Sequence, residues 1–166
     1  MEPFDIYMDE YRSQMKKGVI PKAYKGLMDY MQALKTDFSR QYPNYFVSGS
    51  LYFGYMDMTY FSFSPEAIKR RKLKIAIVFM HESCHFEVWL SGYNKQVQAE
   101  TWQVFKDNGW SAYHLVESID GMDSIVESVL VENPDFSQLD LLTHQIEDGT
   151  IRFIRDMEGF LDKVLP

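Results

Sequence analysis

Two histidines bracket a short polar run, His81-Glu82-Ser83-Cys84-His85, in the pattern H-E-x-x-H. On a helix that spacing stacks two imidazoles one turn apart, where they grip zinc while the glutamate activates a metal-bound water. The chemistry depends on the helix, because four residues of extended backbone separate the same two side chains by about 13 Å. The flanks are strand-like: Ile75, Ile77, Val78 and Phe79 come before, and Phe86-Glu87-Val88-Trp89-Leu90 alternates after. The pentapeptide therefore reads as a hairpin tip. Ser83 also stands where zinc peptidase helices usually place an apolar residue, and Glu100 is the nearest helical candidate for a third ligand. His81 and His85 are thus metal candidates that the local pattern disfavours, and no cofactor is expected. Cys84 has both histidines nearby, but a nucleophilic thiol needs a base held against it and a group that lowers its pKa. A hairpin tip supplies neither.

The elements around that tip suggest a second chemistry. Strands are predicted near 57–63, 73–80 and 85–91, then a helix over 95–107 and a strand over 112–117. Three antiparallel strands, a crossover helix and a further strand form an order similar to the core of restriction-endonuclease-like proteins. The resemblance implies a divalent metal beside a scissile phosphate, held by an Asp and an Asp/Glu-x-Lys triplet. Asp57 and Glu87 take the acidic places. Glu87 is followed by Val88 and Trp89, so the lysine departs from the pattern, and Lys95 on the next helix would have to reach back.

Composition narrows the rest. The 166 residues have room for one sizeable core, and a 46% apolar, 25% charged balance is that of an ordinary globular chain. One globular domain over 1–166 is expected. Aromatics reach 16%, enough for a ring-rich core or an aromatic ligand groove. A net charge of −7 argues against a nucleic-acid partner. Residues 11–40 nevertheless carry seven basic and two acidic side chains, and Lys69, Arg70, Arg71, Lys72 and Lys74 stand against Glu66 alone. An anion site would need these two segments to converge. The longest apolar run, Ile75 to Met80, is six residues, so no membrane span is predicted. The acidic start, without basic and apolar regions in series, predicts no signal peptide. A single Cys84 cannot close an intramolecular disulfide. A cytoplasmic protein is expected.

Along the chain, Phe4, Tyr7, Met8, Tyr11 and Met15 predict a first helix ending at Gly18, and Tyr24 to Tyr42 a second that opens at Pro21 and stops before Pro43. Two strands are predicted between Tyr45 and Ser64. Asn94 is a natural cap for the helix after Gly92. Ser124 and Glu127 form the spacing of a capping box, which favours a helix through Ile125, Val126, Val129 and Leu130, although their β-branching also suits a strand. The last segment, from Leu139 to Val164, is helical with Gly149 as a break. The fold class is α+β: two N-terminal helices, an antiparallel-rich mixed sheet with a crossover helix, and C-terminal helices.

Lys72-Leu73-Lys74-Ile75-Ala76-Ile77-Val78-Phe79, Phe86-Glu87-Val88-Trp89-Leu90-Ser91-Gly92 and Val131-Glu132-Asn133-Pro134-Asp135-Phe136 resemble a bacterial family of uncharacterised hypothetical proteins. The resemblance implies one intact domain over nearly all of the chain and carries no activity. The expected function is therefore a non-catalytic binding domain for a protein partner or small ligand, on a surface that includes Trp89, Tyr93, Lys69, Arg70 and Arg71. A metal-dependent hydrolase is the alternative.

Overall fold

The computed structural model describes residues 3–165. Its backbone divides into two compact units, residues 1–37 and 38–166. The first holds α1 (Phe4–Lys17) and most of α2 (Val19–Gln41). Between them Gly18 takes the left-handed conformation, φ 73°, and donates its N–H to Met15 O; a side chain there would be strained. Pro21 lies inside the first turn of α2, where its missing N–H costs no helical bond.

The second unit is built on a sheet of β1 (Met58–Phe63), β2 (Leu73–Met80), β3 (His85–Gly92), β4 (His114–Leu115) and β5 (Val126–Val131). The order is β1-β2-β3-β5-β4, and every neighbouring pair is antiparallel, so no parallel pair makes the sheet mixed. Between the strands lie α3 (Glu66–Arg70) and α4 (Lys95–Asp107), and α5 (Leu139–Val164) ends the chain. Both β3 and β4 run antiparallel to β5 and hence parallel to each other, which makes α4 the expected crossover. No helix among the described residues is long and apolar enough to cross a membrane.

β2 and β3 pair over their whole length, from Leu73 with Gly92 to Met80 with His85, and residues 81–84 form the turn. The hairpin tip expected at His81 to His85 is present. One face of the sheet carries Phe61, Phe63, Ile75, Ile77, Phe86, Val88, Leu90 and Val126, all at 1% exposure or less. Against it α5 buries Leu142, Ile146, Phe153, Ile154, Met157 and Leu161, a stripe at helical spacing. Phe38, Tyr42, Tyr45 and Phe63 continue this core as a run of rings 4.8–5.7 Å apart.

Four expectations change. In the stretch 124–132, residues 126–131 form a strand rather than a helix. The Ser124 hydroxyl does meet Glu127, but side chain to side chain, without closing on a backbone N–H. Val126 to Val131 instead pair with β3, where β-branched residues suit a pleated surface. In place of two strands over 45–64 there is β1 alone, with Tyr52 and Tyr60 making an isolated bridge. The strand predicted over 112–117 shortens to two residues. α5 also runs unbroken through Gly149, where a Cβ would sit 2.7 Å from Leu130 Cδ2. That glycine lets helix and sheet approach; it does not end the helix.

Candidate functional site

The other face of the sheet is built differently. Alternation places Met58 and Tyr60 of β1, Lys74, Ala76, Val78 and Met80 of β2, and His85, Glu87, Trp89 and Ser91 of β3 on it. Ala76, Val78 and Trp89 are its buried centre, packed by Met58, Tyr60 and Met80. Lys74 interrupts the apolar run of β2 and is only partly buried.

A cavity of about 220 Å³ opens on this face at the end of β3, where α4 begins. Ala76, Trp89 and Tyr60 supply its apolar surface, and Lys74, Lys95, Gln98 and Asp123 its polar one. Its walls are fixed by bonds that leave the lysines aside. The Gly92 N–H donates to Gln98 Oε1 at 2.6 Å, Gln98 Nε2 donates to Met122 O at 3.3 Å, and Ser91 Oγ donates to Asp123 O at 2.7 Å. Asn94 Oδ1 accepts from the Val97 N–H at 2.9 Å, the expected cap of α4. A Cβ on Gly92 would lie 2.6 Å from the backbone N of Gln98, so only glycine lets α4 start this close to β3. Burial, with the Asp123 and Tyr52 charges behind it, pushes the Tyr60 hydroxyl above its ordinary pKa, so it stays a neutral hydrogen-bonding group at physiological pH. Neither lysine forms a salt bridge among the described residues.

Beyond the cavity, three alternate residues of β3 join side by side. Glu87 Oε1 lies 2.5 Å from His85 Nε2, and Glu87 Oε2 accepts from Trp89 Nε1 at 2.5 Å. Both carboxylate oxygens are engaged, and the indole is held by its polar edge. Asp57 lies before β1, where its carboxylate accepts from the Tyr55 N–H at 2.9 Å, and backbone donors from Met58 and Tyr55 hold its pKa below the usual range. His81 meets Thr59 Oγ1 through Nε2 at 2.9 Å, and burial lowers its pKa against the opposing pull of Asp57. The two histidines thus engage different partners. No group of three His, Cys, Asp or Glu among the described residues is placed to hold a metal ion.

Of the residues singled out in the sequence, the cavity brings together Trp89 and Lys95, with Glu87 bonded behind Trp89. Tyr93 does not line it; its hydroxyl stands 3.2 Å from Ser64 Oγ. Of the basic cluster Lys74 lines the cavity, and Lys69, Arg70 and Arg71 lie elsewhere. Lys69 sits over the Phe46 ring, 3.4 Å from its centroid, and Arg71 donates to Asp162, Leu165 O and Ala67 O, while Arg70 is exposed on α3. Tyr60, Gln98 and Asp123 were not singled out, and Lys74 was named only within the basic cluster. For Lys74 the signal was there: a charge at the second position of an otherwise buried strand marks where that face meets water. Gln98 and Asp123 arrive through the packing of α4 and the 120–123 turn, which no local pattern encodes.

A family model described as a domain of unknown function (DUF7000) matches residues 4–161. The chain belongs to the DUF7000 family. The match covers nearly the whole chain, the extent expected from the segments around β2, β3 and β5. No curated protein and no solved structure matches this DUF7000 chain.

Proposed function

We propose that this DUF7000 domain is a non-catalytic binding domain that holds a small planar monoanion in the cavity beside Trp89. The observation that carries the proposal is the pair Lys74 and Lys95, two ammonium groups without a salt bridge at one cavity of a chain whose net charge is −7. Tyr60 and Trp89 give a flat ligand aromatic surface, and the lysines attract its anionic group. Asp123 sets the charge: with two cations and one carboxylate the lining balances a single negative charge and offers no net attraction to a second. Size sets the class. At about 220 Å³ the cavity lies below the usual volume of drug-sized ligand sites, which suits a small aromatic acid.

Calorimetric titration with benzoate, nicotinate and indole-3-acetate, each beside its uncharged amide, tests this. At least one acid is expected to bind while its amide does not, and Lys74→Ala and Lys95→Ala are each expected to weaken binding by about tenfold, roughly 1.4 kcal/mol. Equal binding of acid and amide, or no binding by any acid of the panel, would refute the proposal.

A further inference from the structure

The helix that opens the chain buries none of its residues. Yet Phe4, Met8, Tyr11 and Met15 recur along α1 at alternating steps of four and three, the a/d spacing of a helix that packs against another helix. Phe4 is 76% exposed and Tyr11 55%, and Met8 is exposed with them, so most of the seam faces water while Met15 is half-buried.

The charges beside that seam choose its partner. Asp5, Asp9 and Glu10 occupy the first half of α1, and Arg12, Lys16 and Lys17 the second. We propose that α1 is a self-association element, pairing antiparallel with α1 of a second copy of the chain. In that arrangement Phe4 layers against Met15 of the partner subunit, and Met8 against Tyr11 of the partner subunit, each contact occurring twice by symmetry. Asp5 and Arg12 both flank the seam at the position following a d residue. Antiparallel packing brings Asp5 beside Arg12 of the partner subunit, between the same two apolar layers. Tyr7 and Gln14, on the other flank, meet in the same way. A parallel pair would set Asp5 and Arg12 beside Tyr7 or Gln14, with no opposite charges facing. Arg12 is paired in its own helix with Asp9, at 2.8 Å with both side chains more than 60% exposed, a contact weak enough to be exchanged. Two 14-residue helices make a short seam, so the association belongs to the micromolar class, with Kd of roughly 10–100 µM.

Sedimentation velocity on the full chain between about 5 and 300 µM reads this directly. The expected result is a reversible equilibrium between 19.6 kDa and twice that mass. Asp5→Arg and Arg12→Asp are each expected to weaken association by about tenfold, and the double exchange to return it to within about threefold of the parent. Because Asp5 and Arg12 are exposed on a helix with no fully buried residue, the melting temperature of the folded domain serves as the control and should hold in all three variants. A single 19.6 kDa species throughout would overturn the proposal. So would a dimer indifferent to Met8→Glu, or a double exchange no better than the single ones.

Discussion

Cys84 closes the β2–β3 turn at φ 53°, a left-handed conformation that side chains adopt at a cost of about 1–2 kcal/mol. Its thiol donates to His81 O at 3.3 Å, which is a small return for that strain. Cys84→Gly is therefore expected to stabilise the fold by about 0.5–1 kcal/mol net of chain entropy, a rise of roughly 1–4 °C in thermal midpoint. A fall would mean that the thiol contact outweighs the backbone term. Tyr113 gives a pH prediction. Burial, with its hydrogen bond to Asp156 as the second cause, raises its pKa from 10.0 to about 12. The folded state thus keeps a proton that the unfolded state has lost, so the contribution is fully present below pH 10 and disappears as pH rises towards 12. Urea midpoints measured across that range should fall with pH, and Tyr113→Phe should flatten the decline. At this scale the sequence was legible where alternation alone decides orientation, as for Trp89 on the face opposite Val88. It was illegible where a side chain's partner comes from afar, as Asp156 does for Tyr113.

At the level of elements, the β2–β3 hairpin and α4 were readable because their signals are local. Four residues separate a continuous apolar run from an alternating one, and Asn94 caps a periodic stretch. β5 was not readable, because the same valines suit either period and the deciding term is a neighbour: β3 offers a full ladder to residues 126–131. The cavity depends on the closeness of α4 to β3, and Gly92 permits it. Gly92→Ala would press a methyl group into the backbone of Gln98, which cannot yield as a flexible side-chain end does. A loss of about 1–3 kcal/mol is expected in chemical denaturation, with weaker ligand binding beside it. Gly149→Ala meets only the end of Leu130, which can rotate, and should cost less. Equal costs for the two would contradict this account of which contact is rigid.

For the molecule as a whole, the excess of rings divides among a packed core on one sheet face, a small aromatic-lined cavity on the other, and exposed rings such as those of α1. Within residues 38–166 the basic cluster does not gather at the cavity, since Lys69 and Arg71 are engaged away from the lining that holds Lys74 and Lys95. Chain-wide counting could not distinguish these lysines from their neighbours, because only strand register and helix placement bring 74 and 95 together. The chain has three tryptophans, Trp89, Trp102 and Trp110, and only Trp89 lines the cavity. The most direct test of the binding proposal is therefore to follow their three indole N–H resonances during titration with an aromatic monocarboxylate. A saturable shift of the Trp89 resonance, lost in the Lys74→Ala/Lys95→Ala double variant while the other two resonances stay in place, is the predicted result. A Trp89 resonance that does not move at saturating carboxylate, or one that moves equally well without the two lysines, would contradict it.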